Sequence, residues 1–162
     1  MTLAKTNAPL ILFEVTPERL QDLWPFLRRG LDSVHKRMHP DWLPESVFTA
    51  LAMGGASCVI AQRRNRLLGF QVYYRQLKPW SKKPELFIWA AWDLPIKEWQ
   101  EGDDIPEMVA AMWRYVNNIA ISNYGTDVIT WGTTVGRARA YEKKYGWKPK
   151  YVTFYIKATN GD

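Results

Sequence analysis

The pattern that most restricts how this chain can fold lies between residues 85 and 131. "ELFIWAAW" is apolar on both faces, which marks a strand buried between neighbours and not an edge. Ile105, Met108, Val109, Met112, Val116, Ile119 and Ala120 then recur at helical spacing. "DVITWGT" follows as a second short strand. A helix of that length between two buried strands is a crossover, so the two strands are predicted to pair in parallel. Asp103 or Asp104 is expected to cap the helix, with Pro106 in its first turn.

The flanking sequence supplies the remaining elements. "APLILFEV" reads as a strand, and Thr16 and Pro17 as the cap and first residue of a helix. Leu20, Leu23, Trp24, Leu27, Leu31 and Val34 carry that helix to about residue 37, with Pro25 and Gly30 expected to kink or divide it. A short helix runs from about Pro44 to Met53 and stops at Gly54-Gly55. "SCVIAQ" and "LLGFQVYYRQL" form two strands about the polar turn "RRNR". Near the end, "VGRARAYEKKY" reads as a helix, stopped by Gly146-Trp147, and "KYVTFYIKA" as a last strand. The order β-α-α-β-β-β-α-β-α-β implies an α/β (α+β) domain. Its sheet is mixed and mainly antiparallel, flanked by about four helices. One domain over 1–162 is expected, with 1–9 and 158–162 as loose tails.

Composition narrows the function classes. Cys58 is the single cysteine, which excludes an intrachain disulfide and a thiolate metal cluster, and its apolar setting suits a buried, inert thiol. His35 and His39 lack partners at ligand spacing, so no metal site is expected. No secretory leader is apparent, and no apolar run nears the roughly 20 residues that span a bilayer, so a cytoplasmic setting without membrane contact is expected. The net charge of +6 suits an anionic partner, yet the basic residues are spread and follow no nucleic-acid motif. The nine tryptophans are expected for the most part to fill a bulky core, while exposed ones would line a ligand groove or meet a protein partner.

"RNRLLGFQVYY", "FIWAAWDLP" and "RAYEKKYGWKPK", in this order and spacing, resemble the GNAT superfamily of acetyl-CoA-dependent N-acetyltransferases over nearly the whole chain. The resemblance implies a GNAT-like fold. It also implies an N-acyltransferase moving an acetyl group from acetyl-CoA to an amine of a small molecule or protein. In that family free amides of the splayed fourth strand polarise the thioester carbonyl. The loop and helix that follow hold the pyrophosphate. By position, Trp92, Asp93 and Leu94 would flank the oxyanion contact. Lys97, Trp99 and Gln100 would join Trp92 and Leu94 at the cofactor. Asp93 would act as base or position a water, and Tyr141 would protonate the departing thiolate. "HKRMHPDWLP" falls where the family shapes its acceptor site, so His35 and Trp42 would touch the amine. Tyr73, alternating with Gln71 and Arg75 on the third strand, would line that groove or face water.

The sequence departs from the family pattern in two places. "IKEWQEGDDIPEM" stands where the family has a glycine-rich phosphate loop and carries five carboxylates, Glu98, Glu101, Asp103, Asp104 and Glu107. Set against Lys97 alone, they are expected to make acetyl-CoA binding weak or absent. Tyr141 lies five residues before Gly146, one more than the family spacing, and Glu142 takes the usual place. A second reading therefore stands beside the enzyme: a catalytically inactive GNAT-fold binding or assembly module, such as occurs among bacteriophage virion and accessory proteins. Its location would then be the virion.

Overall fold

A computed structural model describes residues 8–132 and 135–147; the expected last strand lies outside the described residues. The chain forms two compact units, 1–132 and 133–162. In the first, strand β1 (Leu10–Glu14) leads into helices α1 (Pro17–Met38) and α2 (Pro44–Ala52). Strands β2 (Ser57–Arg63), β3 (Arg66–Gln76) and β4 (Glu85–Asp93), helix α3 (Ile105–Ser122) and strand β5 (Ile129–Trp131) complete it. In the second, helix α4 spans Val135–Tyr145. The sheet order is β1-β2-β3-β4-β5, antiparallel throughout except for the parallel pair β4–β5. The crossover expected from the two buried strands is therefore present, carried by α3.

Helices pack on both faces of the sheet. A side chain at Gly30 of α1 would run into the ring of Phe70, whereas one at the adjacent Gly69 would meet Met108 of α3 at 3.1 Å. Because neighbouring strand residues point to opposite faces, α1 and α3 lie on opposite sides. The α1 face buries Leu27, Leu31, Val47, Phe70 and Trp92, and the α3 face buries Tyr73, Met108, Met112 and Val116.

Two local expectations change. Helix α1 runs undivided past Pro25 and Gly30, held by Leu20, Leu23, Leu27, Leu31 and Val34, which are buried along its whole length. Gly30 marks the close approach of α1 to the sheet and not a break. Thr16 stands at the N-cap with Pro17 behind it, but its side chain makes no capping bond. At α3 the cap is Asp104, which accepts from the Glu107 amide at 3.0 Å. At the end of α4, Gly146 takes φ 68 and donates its amide to Glu142 O, a turn that a residue with a Cβ adopts only at a cost.

Candidate active site

Strand β4 reaches past its parallel partner. β5 pairs only with Leu86, Phe87 and Ile88, leaving Trp89 to Asp93 without a neighbour on that side among the described residues. Where this happens, the register against β3 jumps from Tyr73↔Ile88 to Val72↔Ala90, so that Trp89 is an extra residue. Such a bulge reverses the alternation of the strand. The hydrogen bonds record the reversal: Leu86 donates its amide to Val128 beside β5, whereas Leu94 donates to Leu68 on β3. After the bulge the odd-numbered Ala91 and Asp93 thus turn their amides toward the edge that β5 has left.

This geometry separates the three residues that the resemblance grouped. Trp92 is buried under α1, against Phe26 and Phe70, with the Arg29 guanidinium 5.3 Å from its ring centre. Leu94 is buried and its amide already serves β3. Asp93 alone of the three turns its amide to the open edge, while its carboxyl lies on the α3 face, where a Cβ at Gly69 would come within 3.0 Å of Asp93 Oδ1. Burial pushes its carboxyl above the ordinary value, and the charge of Arg37 offsets part of that.

Beyond β4 the chain makes a 3-10 turn, Ile96–Glu98, pinned by the Trp99 indole N–H donating to Leu94 O at 2.9 Å. An open cleft of about 610 Å³ lies here, lined by Leu94, Lys97, Glu98, Trp99 and Gln100 together with Phe26, Arg29, Arg66 and Leu67. Four of the residues expected at a cofactor are thereby brought together.

The charge balance of this loop differs from the expectation. Glu98 pairs with Arg29 of α1, and Asp103 accepts from Arg66 Nη1 at 2.7 Å. Glu107 meets Arg63 at 3.3 Å, and Arg63 also donates to Gly102 O. Arg66 Nη2 reaches the Glu98 carbonyl at 2.9 Å. Lys97 does not stand alone against five carboxylates; three of them hold arginines from α1 and the β2–β3 hairpin. The hydrogen bond from Arg29 holds the Glu98 carboxyl below its usual range. Burial pushes Asp103 upward, but the Gln100 amide and the Arg66 guanidinium outweigh it and hold the carboxyl low.

The start of α3 has few donors to spare. Pro106 has no N–H, the Glu107 amide serves the Asp104 carboxylate, and the Met108 amide serves the Asp104 carbonyl. Of the first four positions only Ile105 keeps a free amide, so an anion held here depends on side-chain cations.

On the α1 face a row of aromatic rings leads to the bulge. His35 lies 6.0 Å from Trp42, Trp42 lies 6.1 Å from Trp89, and Trp89 lies 5.6 Å from Tyr74, which touches Phe87 at 5.4 Å. All five are half-buried. His35 and Trp42 are thus brought together as expected, with Trp89 as a member that the sequence reading missed. Tyr73 is not part of this row: it is fully buried on the opposite face, 6.5 Å from Tyr124, and lines no surface groove. Gln71 is buried as well, so neither residue faces water.

Tyr141 falls within α4, but its side chain lies outside the described residues. Among the described residues no three His, Cys, Asp or Glu stand close enough to hold a metal ion, and no helix is long and apolar enough to cross a membrane. Cys58 is fully buried, and burial pushes its thiol far above the ordinary range. Of the described tryptophans only Trp80 is exposed.

No protein-family model matches the sequence, and no curated protein matches it. Several solved structures are similar over nearly the whole chain. Aminoglycoside N-acetyltransferase AAC(6')-Iy in complex with CoA is 18% identical with a TM-score of 0.62, covering 97% of this chain and 100% of its own. An aminoglycoside acetyltransferase from an uncultured soil metagenomic sample, in complex with sisomicin, is 15% identical with a TM-score of 0.59, covering 93% and 97%. The ribosomal-protein-alanine N-acetyltransferase of Brucella melitensis biovar Abortus 2308 is 10% identical with a TM-score of 0.61, covering 93% and 100%. At these identities the likeness is one of fold.

Proposed function

Because the chain has the GNAT fold, we propose that it is an N-acyltransferase using acetyl-CoA, with side-chain cations in place of a glycine-rich phosphate loop. The observation that carries this reading is the cleft at the end of β4, where Arg29, Arg66 and Lys97 converge beside the bulged, half-unpaired strand. A polyphosphate fits such a donor set: guanidinium groups bind phosphate oxygens in pairs, and Lys97 adds an exposed point charge. Trp99 and Phe26 supply apolar wall for the rest of the molecule.

When bound, acetyl-CoA would supply the acyl group as an activated thioester. The chain's own part is to position and to move protons. The Ala91 and Asp93 amides, aimed at the open edge of β4, would orient an acyl carbonyl and stabilise negative charge on its oxygen. The Asp93 carboxyl, raised by burial, is the proposed acceptor of the amine's proton, directly or through a water. Tyr141 is the proposed proton donor to the departing thiolate.

The test is release of free thiol from acetyl-CoA in the presence of an amine panel, with Tyr141→Phe and Asp93→Asn beside the unmodified protein. Turnover that falls roughly 10- to 1,000-fold in either variant, with acetyl-CoA affinity kept, supports the assigned roles. Binding of acetyl-CoA without turnover on any amine would favour the non-catalytic module. That reading is supported by Glu98 and Asp103 already holding Arg29 and Arg66.

A further inference from the structure

From the α3 face of the strand pair β3–β4 we infer that Gln71 is a positioning residue for Asp93. Its side-chain oxygen accepts the hydrogen bond that the Asp93 carboxyl donates once it has taken the amine's proton. The inference deepens the acyl-transfer reading and rests on it. Residues opposite one another in an antiparallel pair share a face. Gly69 with Asp93, and beside them Gln71 with Ala91, thus lie together on the face that α3 covers. Asp93 Oδ1 leans across to β3, 3.0 Å from where a Cβ of Gly69 would stand, and Met108 of α3 closes the same spot at 3.1 Å. Gln71 is the next residue of β3 on this face and stands diagonal to Asp93, a separation of about 7–8 Å that a long side chain spans.

Each group lacks what the other offers. Gln71 is 5% exposed, and its Oε1 accepts no hydrogen bond among the described residues. A buried amide oxygen without a donor costs stability, and a native core keeps one only for a reason. Its cross-strand neighbours Val59 and Ala91 have no side-chain donor. Tyr73, two residues on, turns its hydroxyl to Tyr115 and Glu14 instead. Asp93 supplies the missing donor only in its neutral form. When the amine's proton passes to it, the N–H bond breaks, the electron pair stays on nitrogen, and the carboxylate becomes a carboxyl with one O–H. Burial already favours that form, while the charge of Arg37 on α1 opposes it. Gly69 of β3 and Met108 of α3, beside the carboxyl, carry no charge, and Arg63 and Arg66 of the hairpin are held by Glu107 and Asp103. A hydrogen bond from the O–H to Gln71 Oε1 therefore strengthens Asp93 as a base without adding charge. Ala91 is exposed, so an amine reaches the pair from the open edge of β4.

The experiment titrates the Asp93 carboxyl in the full chain by carboxyl-carbon NMR without acetyl-CoA, its signal assigned with Asp93→Asn. Gln71→Met removes the acceptor at similar shape, Gln71→Glu adds charge to it, and Tyr73→Phe tests the neighbouring hydroxyl. The Asp93 midpoint is expected to fall in Gln71→Met, to rise in Gln71→Glu and to stay in Tyr73→Phe. The melting temperature of Gln71→Met should hold or rise, because an unpaired buried oxygen is lost. In acetyl-transfer assays kcat should drop about tenfold in Gln71→Met with KM kept, and the acid limb of the pH profile should move with the NMR midpoint. A midpoint that rises or stands still in Gln71→Met would overturn the inference, since the amide would then donate to the carboxylate or not reach it. An equal shift in Tyr73→Phe, or a Gln71→Met variant that melts several degrees lower, would overturn it too. Midpoints that move as expected, without turnover on any amine, keep the contact and sink the acyl-transfer reading. Turnover indifferent to Gln71 sinks the inference alone.

Discussion

Arg29, midway along α1, and Glu98, in the 3-10 turn after β4, are joined by an ion pair across 69 residues of sequence. The pair ties the loop at the end of β4 to the helix that covers it, and it holds one cation of the cleft on a carboxylate of the protein itself. Replacement of Glu98 should therefore release Arg29 for another anion. Glu98→Gln is expected to raise acetyl-CoA affinity several-fold, read by titration at low salt. The thermal midpoint should barely move, because both side chains are partly exposed. The Glu98 carboxyl is held below its ordinary value of 4.5. The pair is therefore closed throughout neutral pH and opens only as pH falls through that lowered value.

Asp103 should matter more for stability. Its side chain is 3% exposed and accepts from both Arg66 and the Gln100 amide. Its carboxyl is held below the ordinary 3.8 in the folded chain. Its contribution is therefore complete above the unfolded value and is lost as pH falls through the folded one. Asp103→Asn should lower the thermal midpoint by a few degrees at pH 7, and the gap to the unmodified protein should close in acid below about pH 4. Melting curves across that range check the sign: a gap that widens in acid would contradict the assignment.

Gly30→Ala separates two opposite expectations. Helix propensity alone favours alanine by about 1 kcal/mol. The added methyl would instead press into the Phe70 ring and come within 2.7 Å of Trp92 Cε3. Overpacking of this kind costs about 1–3 kcal/mol, so urea denaturation should show a net loss of stability. A gain would mean that α1 does not sit this close to the sheet.

Ala91→Pro removes one amide at the open edge of β4, where no strand among the described residues needs it. If that amide stabilises the developing oxyanion, turnover should fall about 100- to 1,000-fold while acetyl-CoA affinity changes only a few-fold. Steady-state kinetics beside a binding titration separates the two; equal losses in both would assign Ala91 to binding alone.

The fold was largely legible in the sequence because its elements carry strong local signals. The doubly apolar β4, the stripe on α3 and the turns at Arg64-Asn65 and Gly146 each specify themselves within a few residues. The candidate site was legible only in part, since its chemistry depends on contacts between distant segments. The acids of 98–107 were visible, and so was the basic cluster Arg63, Arg64 and Arg66, but their pairing follows from topology. The start of β3 lies beside the end of β4 in an antiparallel pair, which brings the hairpin arginines to the acidic loop. Arg29 had no local signal at all. Trp89 was hidden for a different reason: in a strand apolar on both faces, no pattern reveals where one extra residue reverses the alternation. Tyr73 misled because its neighbours Gln71 and Arg75 are polar, whereas α3 covers the part of β3 on which it lies.

The central claim is that arginine and lysine side chains, not a glycine-rich loop, hold the phosphates of acetyl-CoA in the cleft after β4. Calorimetric titration of acetyl-CoA into the unmodified chain and into Arg29→Gln/Arg66→Gln, at low and moderate salt, tests it most directly. Micromolar binding is predicted, weakening with salt and falling about 10- to 100-fold in the double variant. No binding by the unmodified chain, or binding indifferent to both substitutions and to salt, would contradict it.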